Sequence, residues 1–243
     1  MNAKLISFSQ PDNPFRNTKY IEMNKLIADL DESPTDLIAY CARVSNPSNQ
    51  NNKDTSMKLI KYLIKHKHWS PLEMVNACLE IETTRDIAHQ IVRHRSFAFQ
   101  EFSQRYADPV KELKFVNREA RLQDTENRQN SYELDDKDVM HKKIDREWKE
   151  MQDLLVSQAT RTYKWAIENG IAKEQARAVL PEGLTTTRLY MNGSLRSWVH
   201  YIELRSGHGT QKEHMIIARE CAEAIAPIFP LIDDFVNNNN KTN

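Results

Sequence analysis

Glycine is the residue type that this chain most conspicuously lacks. It accounts for 5 of the 243 residues, about 2%, whereas about 7% is usual. A dinucleotide-binding fold of the Rossmann kind needs three glycines within six positions, and a P-loop needs two beside a lysine. Neither spacing occurs here, so arginine side chains and helix ends would have to hold any phosphorylated ligand.

Cysteine is scarcer still, and its spacing disfavours two kinds of site. Cys41, Cys78 and Cys221 form no C-x-x-C pair, which argues against a disulfide framework and a thiolate zinc site. We expect all three cysteines to be small, buried residues. The histidines show neither H-x-x-x-H nor H-E-x-x-H spacing, so we expect no metal site.

Net charge and long apolar runs are also absent. The 34 basic and 34 acidic residues balance, so no overall field draws the chain to nucleic acid or to an anionic membrane. No segment approaches the roughly 20 apolar residues that cross a bilayer, and Met1–Gln10 lacks the features of a secretory signal. We therefore expect a soluble, cytoplasmic protein without nucleic-acid or membrane partners.

The spacing of apolar residues alternates between that of strands and that of helices. Alternation over Val75–Glu82 predicts a half-buried strand, and Lys4–Ser9 and Thr185–Met191 are further strand candidates. Helices are predicted over residues 33–44, 55–66, 83–95, 137–169, 173–180, 194–202 and 210–227. We expect three of these helices to be capped by Thr83, Ser194 and Thr210.

These elements predict the α+β class. We expect a single domain over residues 1–236, with a mostly antiparallel central sheet flanked by helices. The polar stretch Ala107–Asp136 is expected to be a long loop of little regular structure. Residues 237–243 are rich in asparagine and are expected to form a disordered tail. The apolar stripe of the long helix over residues 137–169 is suited to packing on the sheet or on a partner chain.

The densest polar cluster is Arg93–Tyr106, with the sequence RHRSFAFQEFSQRY. Phe97, Phe99 and Phe102 would bury one side of an extended segment, so that polar groups gather on the other side. Such a segment is suited to a polyanionic, aromatic ligand. Two alternatives are a nucleic-acid-binding module, which also interleaves arginine with aromatics, and a structural helical protein. The zero net charge disfavours the first, and the concentration of polar groups disfavours the second.

The same cluster resembles the signature of a known enzyme family. Arg93, His94 and Arg95, followed after seven residues by Ser103, reproduce the RHR-x7-S motif of the flavin-dependent thymidylate synthases. The resemblance extends upstream through Ser70–Glu73. It extends downstream to the arginines of ARAVLP and YIELRSG, so it runs from about Asp31 to Pro227, except for the loop and much of the long helix.

The resemblance implies a reductive methylation of dUMP to dTMP. Methylenetetrahydrofolate would donate the carbon, tightly bound FAD would carry the hydride and NADPH would reduce it. The implied dUMP-binding residues are Gln90, Arg93, Glu101, Ser103, Gln104, Arg105, Arg177 and Arg205. The implied FAD-binding residues are His94, Arg95, Ser96, Glu101, Arg196 and His200. The family also implies a homotetramer whose subunits share active sites.

By the same resemblance, Arg205 is the catalytic residue. A guanidinium beside the uracil would stabilise negative charge that develops on the ring, in the manner of an oxyanion hole. Ser103 lacks an evident base with an orienting partner, so we assign it to binding and expect no covalent protein nucleophile. Two positions depart from the family, which often has histidine where this chain has Met74 and Gly209; His208 precedes the second.

Overall fold

The computed structural model describes residues 1–10, 33–207 and 209–237. The strands in these ranges are β1 (Asn2–Phe8), β2 (Asn76–Thr84), β3 (Ala98–Glu101), β4 (Arg121–Gln123), β5 (Ser131–Glu133) and β6 (Thr186–Ser194). The α-helices are α1 (Pro34–Ala42), α2 (Ser56–Lys65), α3 (Arg85–Ile91), α4 (Pro109–Glu112), α5 (Val139–Glu168), α6 (Lys173–Ala176), α7 (Leu195–Arg205), α8 (Lys212–Ile225) and α9 (Asp233–Asn237). Short 3-10 helices span Pro47–Asn49, Ser70–Met74, Arg177–Val179 and Pro230–Ile232.

The central sheet has four strands in the order β1-β2-β6-β3, and every neighbouring pair is antiparallel. In β2, Ala77, Leu79 and Ile81 are buried, while the residues between them are half-buried, as the alternation predicts. The pairing of β2 with β6 runs unbroken from Asn76 opposite Ser194 to Thr84 opposite Thr186. The predicted α+β class and the mostly antiparallel central sheet are confirmed.

Helices α7 and α8 build the core against this sheet. The predicted buried side of α7 is confirmed, because Leu195, Trp198, Val199 and Ile202 are all fully buried. The Trp198 indole N–H donates to the Ala77 carbonyl at 3.0 Å, so the helix is tied to β2 as well as packed on it. Ser194 caps α7 as predicted, since its hydroxyl accepts from the Ser197 amide.

Several local predictions are wrong by a short distance along the chain. Helix α3 ends at Ile91, so the RHR motif lies in the turn after the helix and not in its last turn. The cap residue of α3 is Thr84 rather than Thr83, and that of α8 is Gln211 rather than Thr210. Neither Thr84 nor Gln211 makes a side-chain cap hydrogen bond, so backbone geometry and not a capping box sets where these helices begin.

The predicted burial of the three cysteines holds for one of them. Cys221 is fully buried on α8, and burial raises the pKa of its thiol. Cys41 and Cys78 are only half-buried. Cys78 occupies a position of β2 that points away from the core, where the strand alternates between its two faces. All three thiols are free.

The stretch 107–136 has more structure than its polarity predicts. It contains α4 and the hairpin of β4 and β5, and Asp124 stabilises the turn of that hairpin. The Asp124 carboxylate accepts from the amides of Glu126 at 2.8 Å and Asn127 at 3.0 Å. The prediction of a loop without regular structure is therefore corrected to a short helix and a hairpin joined by loops.

The long helix is confirmed as α5, within two residues of its predicted ends. Much of its apolar stripe does not pack on the sheet. Six large apolar side chains on this helix are more than half exposed: Val139, Met140, Met151, Leu154, Leu155 and Trp165. Among the described helices, none combines the length and apolarity of a membrane span. Asn237 ends α9, and the rest of the predicted tail lies outside the described residues.

Candidate active site

The RHR motif lies in a tight turn between α3 and β3. The amide of His94 donates to the Ile91 carbonyl at 3.1 Å, and the amide of Phe97 donates to the His94 carbonyl at 3.3 Å. Phe97 anchors the turn, because its ring is buried edge-on against Trp198 with 4.8 Å between ring centroids. Arg93 and Arg95 remain exposed. The turn thus presents two guanidinium groups to solvent from a fixed backbone.

Gly193 makes this anchoring possible. A Cβ atom at position 193 would lie 2.4 Å from the Phe97 ring, a distance that real contacts do not allow. The ring therefore rests directly on the backbone of β6. Since Phe97 lies two residues after Arg95, the missing side chain at position 193 sets where the RHR turn sits relative to the sheet.

His94 and Arg205 form a direct pair. The Arg205 Nε–H donates to His94 Nε2 at 2.9 Å, from the last residue of α7. Burial, together with the Arg205 charge, lowers the pKa of His94 from 6.5 to about 4. The imidazole is therefore neutral at neutral pH, with its Nε2 lone pair used by Arg205. The structure thus brings together the predicted catalytic residue and a predicted flavin-binding residue.

Gln90 lies one turn before the motif and connects to α8. Its Oε1 is 3.1 Å from His214 Nδ1, and its Nε2 donates to Gln211 Oε1 at 2.8 Å. His214 Nε2 lies 3.1 Å from the Tyr201 hydroxyl. Sequence reasoning missed His214, Gln211 and Tyr201. One signal was available: His214 shares the buried stripe of α8 with Ile217 and Cys221, where a polar residue is unusual.

A second group of predicted flavin-binding residues surrounds Glu73. Arg196 pairs with the Glu73 carboxylate at 2.8 Å, and the Ser194 hydroxyl donates to the same carboxylate. The hydrogen bond from Ser194 is the largest cause that holds the pKa of Glu73 below its usual value, and Arg196 adds to it. The Ser197 hydroxyl donates to the Ser96 carbonyl at 3.3 Å, which ties the RHR turn to this group.

His200 completes the group around Glu73 on the next turn of α7. Its ring lies edge-on to Trp69, with 4.8 Å between centroids. Both residues adjoin the Ser70–Met74 helix that carries Glu73. The predicted flavin-binding residues of α7 and of the RHR turn therefore lie in one connected region.

Glu101, at the end of β3, is held from two sides. Arg85 pairs with it at 3.3 Å and the Thr187 hydroxyl donates to it at 2.9 Å. Arg85 also pairs with Glu182 at 3.0 Å. Sequence reasoning missed Arg85, which opens α3. The carboxylate of Glu101 is thus fixed by the protein itself.

The segment after β3 carries the remaining predicted nucleotide-binding residues. The Ser103 hydroxyl accepts from the Arg105 amide at 3.4 Å, and Arg105 pairs with Glu174 of α6 at 3.4 Å. Gln104 is 2% exposed, and among the residues that the structure describes its side-chain N–H₂ group has no hydrogen-bond partner. A buried donor without a partner is costly, so this amide is suited to a ligand oxygen.

Arg177 lies in the 3-10 helix that follows α6. Among the described residues, no hydrogen bond or ion pair joins Arg105 or Arg177 to Arg93 or Arg205, and β3 alone separates the two ends of the motif by roughly 13 Å. Within the same residues, the side chains of Arg93, Arg95 and Arg177 form no hydrogen bond or ion pair. Three uncompensated guanidinium groups and one orphaned amide form a donor set that fits the phosphates of a nucleotide and of FAD.

Comparison with known proteins identifies the family. A family model described as "Thymidylate synthase complementing protein" matches residues 25–231. A probable flavin-dependent thymidylate synthase of Paramecium bursaria Chlorella virus 1 is 45% identical over 216 residues, 89% of this chain and 96% of the relative. The chain belongs to the flavin-dependent thymidylate synthase family. The predicted family and the predicted class, a flavin-dependent methyltransferase, are confirmed.

Two further comparisons concern a second relative from the same family and a solved structure with a similar fold. The flavin-dependent thymidylate synthase of a Synechocystis strain is 48% identical over 200 residues, covering 82% of this chain and 88% of the relative. A solved structure of a UMP/dUMP methylase PolB from Streptomyces cacaoi, bound with 5-Br dUMP, matches with a TM-score of 0.72 and 22% identity. It covers 97% of this chain and 94% of that one. At that identity the likeness concerns the fold.

Gly209 and Met74, the two positions where the family often has histidine, differ in their backbone conformation and surroundings. Gly209 has a φ of 84°, in the left-handed region that disfavours a residue with a side chain, so a histidine would be strained there. His208 lies outside the described residues. Met74 is half exposed at the end of the Ser70–Met74 helix, directly after Glu73. An imidazole is therefore lost next to the Glu73 carboxylate.

Proposed function

We propose that this flavin-dependent thymidylate synthase converts dUMP to dTMP. The methylene of methylenetetrahydrofolate joins C5 of the uracil, the C5 proton leaves, and a hydride completes the methyl group, so the folate departs as tetrahydrofolate. NADPH supplies the two electrons. FAD, when bound, relays the hydride. The Arg205–His94 pair beside the RHR turn is the observation that carries this proposal.

Arg205 is proposed to stabilise charge on the uracil. Its Nε–H is engaged by His94, which leaves the four hydrogens on its two terminal nitrogens for the ligand. Because the neutral His94 ring lies edge-on to Tyr201 at 4.9 Å, the guanidinium has a fixed support. A fixed cation is effective where charge develops, because it needs no reorganisation during the reaction.

The nucleotide is proposed to be held along the motif. Arg93 and Gln90 bind it at one end, while Ser103, Gln104, Arg105 and Glu101 bind it at the other. Arg177 grips the phosphate together with the loop that carries Arg105. The orphaned N–H₂ of Gln104 supports this assignment, because a phosphate or sugar oxygen would supply its missing acceptor.

FAD is proposed to lie along the RHR turn and α7. Arg95 offers an uncompensated charge to a phosphate, and His94, Ser96, Arg196 and His200 lie on the same turn and helix. Glu101, at the other end of β3, is proposed to contact FAD from there. The link between Ser197 and Ser96 supports this placement, because it fixes the turn against the helix. Glu73 compensates Arg196 and so limits the excess of positive charge beside the coenzyme.

No covalent protein nucleophile is proposed. The described contact of the Ser103 hydroxyl is with the Arg105 amide, and His94 is engaged by Arg205 instead of serving as a base for serine. A serine nucleophile needs an adjacent, oriented base. A trapped adduct of nucleotide on Ser103, detected by mass spectrometry, would contradict this.

We also propose a homotetramer with shared active sites, in the cytoplasm. The exposed apolar side chains of α5 support a partner chain, because large apolar patches on one chain mark interaction surfaces. The family resemblance implies that sites are shared, and the position of Arg177 in a helix separate from the RHR turn is consistent with a second subunit that brings these groups together. Free cysteines fit a reducing compartment. Light scattering of wild type and of Leu154→Lys tests the assembly; an unchanged mass in the variant would contradict the role of α5.

The reaction is tested with purified protein, FAD, NADPH, methylenetetrahydrofolate and dUMP. We expect a yellow protein, dUMP-dependent NADPH oxidation and chromatographically detected dTMP. Arg93→Ala should weaken dUMP binding, whereas Arg219→Ala, an exposed arginine of α8, should not. If FAD-loaded wild type forms no dTMP, or takes up neither FAD nor dUMP, the proposed function is wrong.

A further inference from the structure

The Gln90 side chain is one member of a hydrogen-bonded chain that ends in a buried carboxylate. Gln90 Nε2 donates to Gln211 Oε1 at 2.8 Å, and Gln211 Nε2 donates to Glu213 Oε2 at 2.9 Å. The other oxygen of Glu213 accepts from Arg121 Nη2 at 2.6 Å. Sequence reasoning assigned none of these partners to Gln90.

The carboxylate sets the direction of the whole chain. Burial raises the pKa of Glu213, but the hydrogen bond from Arg121 and further contacts outweigh it, so the net pKa is lowered. An ionised carboxylate only accepts, so Gln211 must turn its N–H₂ group toward Glu213 and its oxygen toward Gln90. Gln90 must then turn its N–H₂ group toward Gln211 and its oxygen toward His214.

The same reasoning fixes the tautomer of His214. Because the Gln90 oxygen accepts, His214 Nδ1 carries the hydrogen, and Nε2 accepts from the Tyr201 hydroxyl at 3.1 Å. His214 is fully buried. Burial, with a smaller contribution from Arg205, lowers the pKa of His214 from 6.5 to about 3, so the ring stays neutral.

We infer that His214 is a positioning residue for nucleotide binding, which acts by locking the orientation of the Gln90 amide. This inference rests on the proposed function, in which Gln90 binds dUMP. With its oxygen on His214 and one N–H on Gln211, Gln90 presents its second N–H and second oxygen lone pair to the ligand. Gln211 and Glu213 set this orientation and His214 holds it, because a flipped Gln90 would face the Gln211 oxygen with its own oxygen and the His214 Nδ1–H with its own N–H₂ group.

Two substitutions of His214 separate the locking contact from simple space filling. In His214→Asn the amide nitrogen can replace Nδ1 and still donate to Gln90. In His214→Gln the longer amide reaches the position of Nε2 and leaves Gln90 without its donor. Loss of one such hydrogen bond corresponds to about five- to tenfold in affinity. His66→Gln, at an exposed histidine of the same chain, is the matched control.

The experiment titrates dUMP into FAD-loaded protein and measures turnover. We expect about five- to tenfold weaker dUMP binding and a raised KM for His214→Gln, with FAD retention and kcat at saturating dUMP unchanged. His214→Asn and His66→Gln should bind like wild type. In a Gln90→Ala background, His214→Gln should cause no further loss, because its effect passes through Gln90. Undiminished binding by His214→Gln, or an equal loss in the Gln90→Ala background, would overturn the inference.

A second measurement does not depend on the nucleotide. Nitrogen-15 NMR of histidine-labelled wild type should show His214 neutral, with its hydrogen on Nδ1, and the His214→Asn spectrum assigns the signal. A hydrogen on Nε2 would overturn the inference even if dUMP binds. A wild type that takes up FAD but no dUMP would instead overturn the proposed function, so the two failures are distinguishable.

Discussion

Lowering the pH from 7 to 5 should destabilise the fold. Over this range the protonation of carboxylates changes the free energy of unfolding little. His94 and His214 have pKa values of about 4 and about 3 in the folded chain, against 6.5 when unfolded. Both values are depressed, so the unfolded chain binds more protons below pH 6.5. The stability contributed by the two neutral rings is therefore full above pH 6.5 and is lost as the pH falls toward 4 and 3.

The size of the effect follows from linkage. Between pH 7 and pH 5, unfolding exposes one His214 ring that takes up nearly one proton, which corresponds to about 1.8 kcal/mol. His94 is partly exposed, so we count about half as much for it because solvent screens its environment. The free energy of unfolding should thus fall by roughly 2.5 kcal/mol over these two pH units.

Urea unfolding, followed by tryptophan fluorescence at fixed protein concentration, measures this fall. Glu73 and Glu213, whose pKa values lie below 4.5, titrate beneath the chosen window. His214→Asn removes one titrating ring while keeping a donor to Gln90, so its stability should fall by about 1.8 kcal/mol less than that of wild type. If both proteins lose the same stability between pH 7 and pH 5, His214 is not a buried neutral histidine and the reasoning fails.

Three further predictions concern single side chains. Gly193→Ala should destabilise the protein by about 1–3 kcal/mol in thermal unfolding, because the new Cβ meets the Phe97 ring; Gly183→Ala, whose Cβ finds only ordinary contact at 3.8 Å, is the control, and equal stability of the two would refute the close approach. Arg205→Ala should lower kcat by about 10²–10³ and weaken dUMP binding much less; a change confined to KM would contradict its catalytic role. Arg118→Met should cost about 1.5–3 kcal/mol in urea unfolding, because it removes the charged hydrogen bond to the half-buried Asp86 carboxylate at 2.6 Å; unchanged stability would contradict this.

The parts of the fold with strong apolar periodicity could be predicted from the sequence. The alternation in β2 and the stripe of α7 reflect burial directly, so the predicted bounds of β2 agree within two residues and those of α7 within three. The hairpin of β4 and β5 could not be predicted, because its three-residue strands are too short to show a period. It depends on the Asp124 turn and on the contact of Lys212 with Glu133 at 2.5 Å, which joins residues distant in the chain.

The residues of the candidate site likewise divide into those that the sequence reveals and those that it does not. The motif from Arg93 to Arg105 is local, so its members were recognisable in the sequence. The partners that orient them come from elsewhere: His214 contacts Gln90 across 124 positions, and Arg196 reaches Glu73 across 123. Such contacts depend on how α7 and α8 pack on the sheet, which a single sequence does not reveal.

The two exposed arginines of the RHR turn, Arg93 and Arg95, are not part of what keeps the protein folded. Phe97 seats on the bare backbone of Gly193 at one end of β3, and Arg85 with Thr187 clamps Glu101 at the other, while Arg93 and Arg95 touch no partner within the described chain. The residues that hold the turn in place are therefore distinct from the two arginines that the turn exposes. Substitutions at Arg93 or Arg95 should leave the melting temperature unchanged, so any lost turnover can be assigned to ligand binding or chemistry and not to unfolding, and new recognition groups can be installed there without redesigning the scaffold.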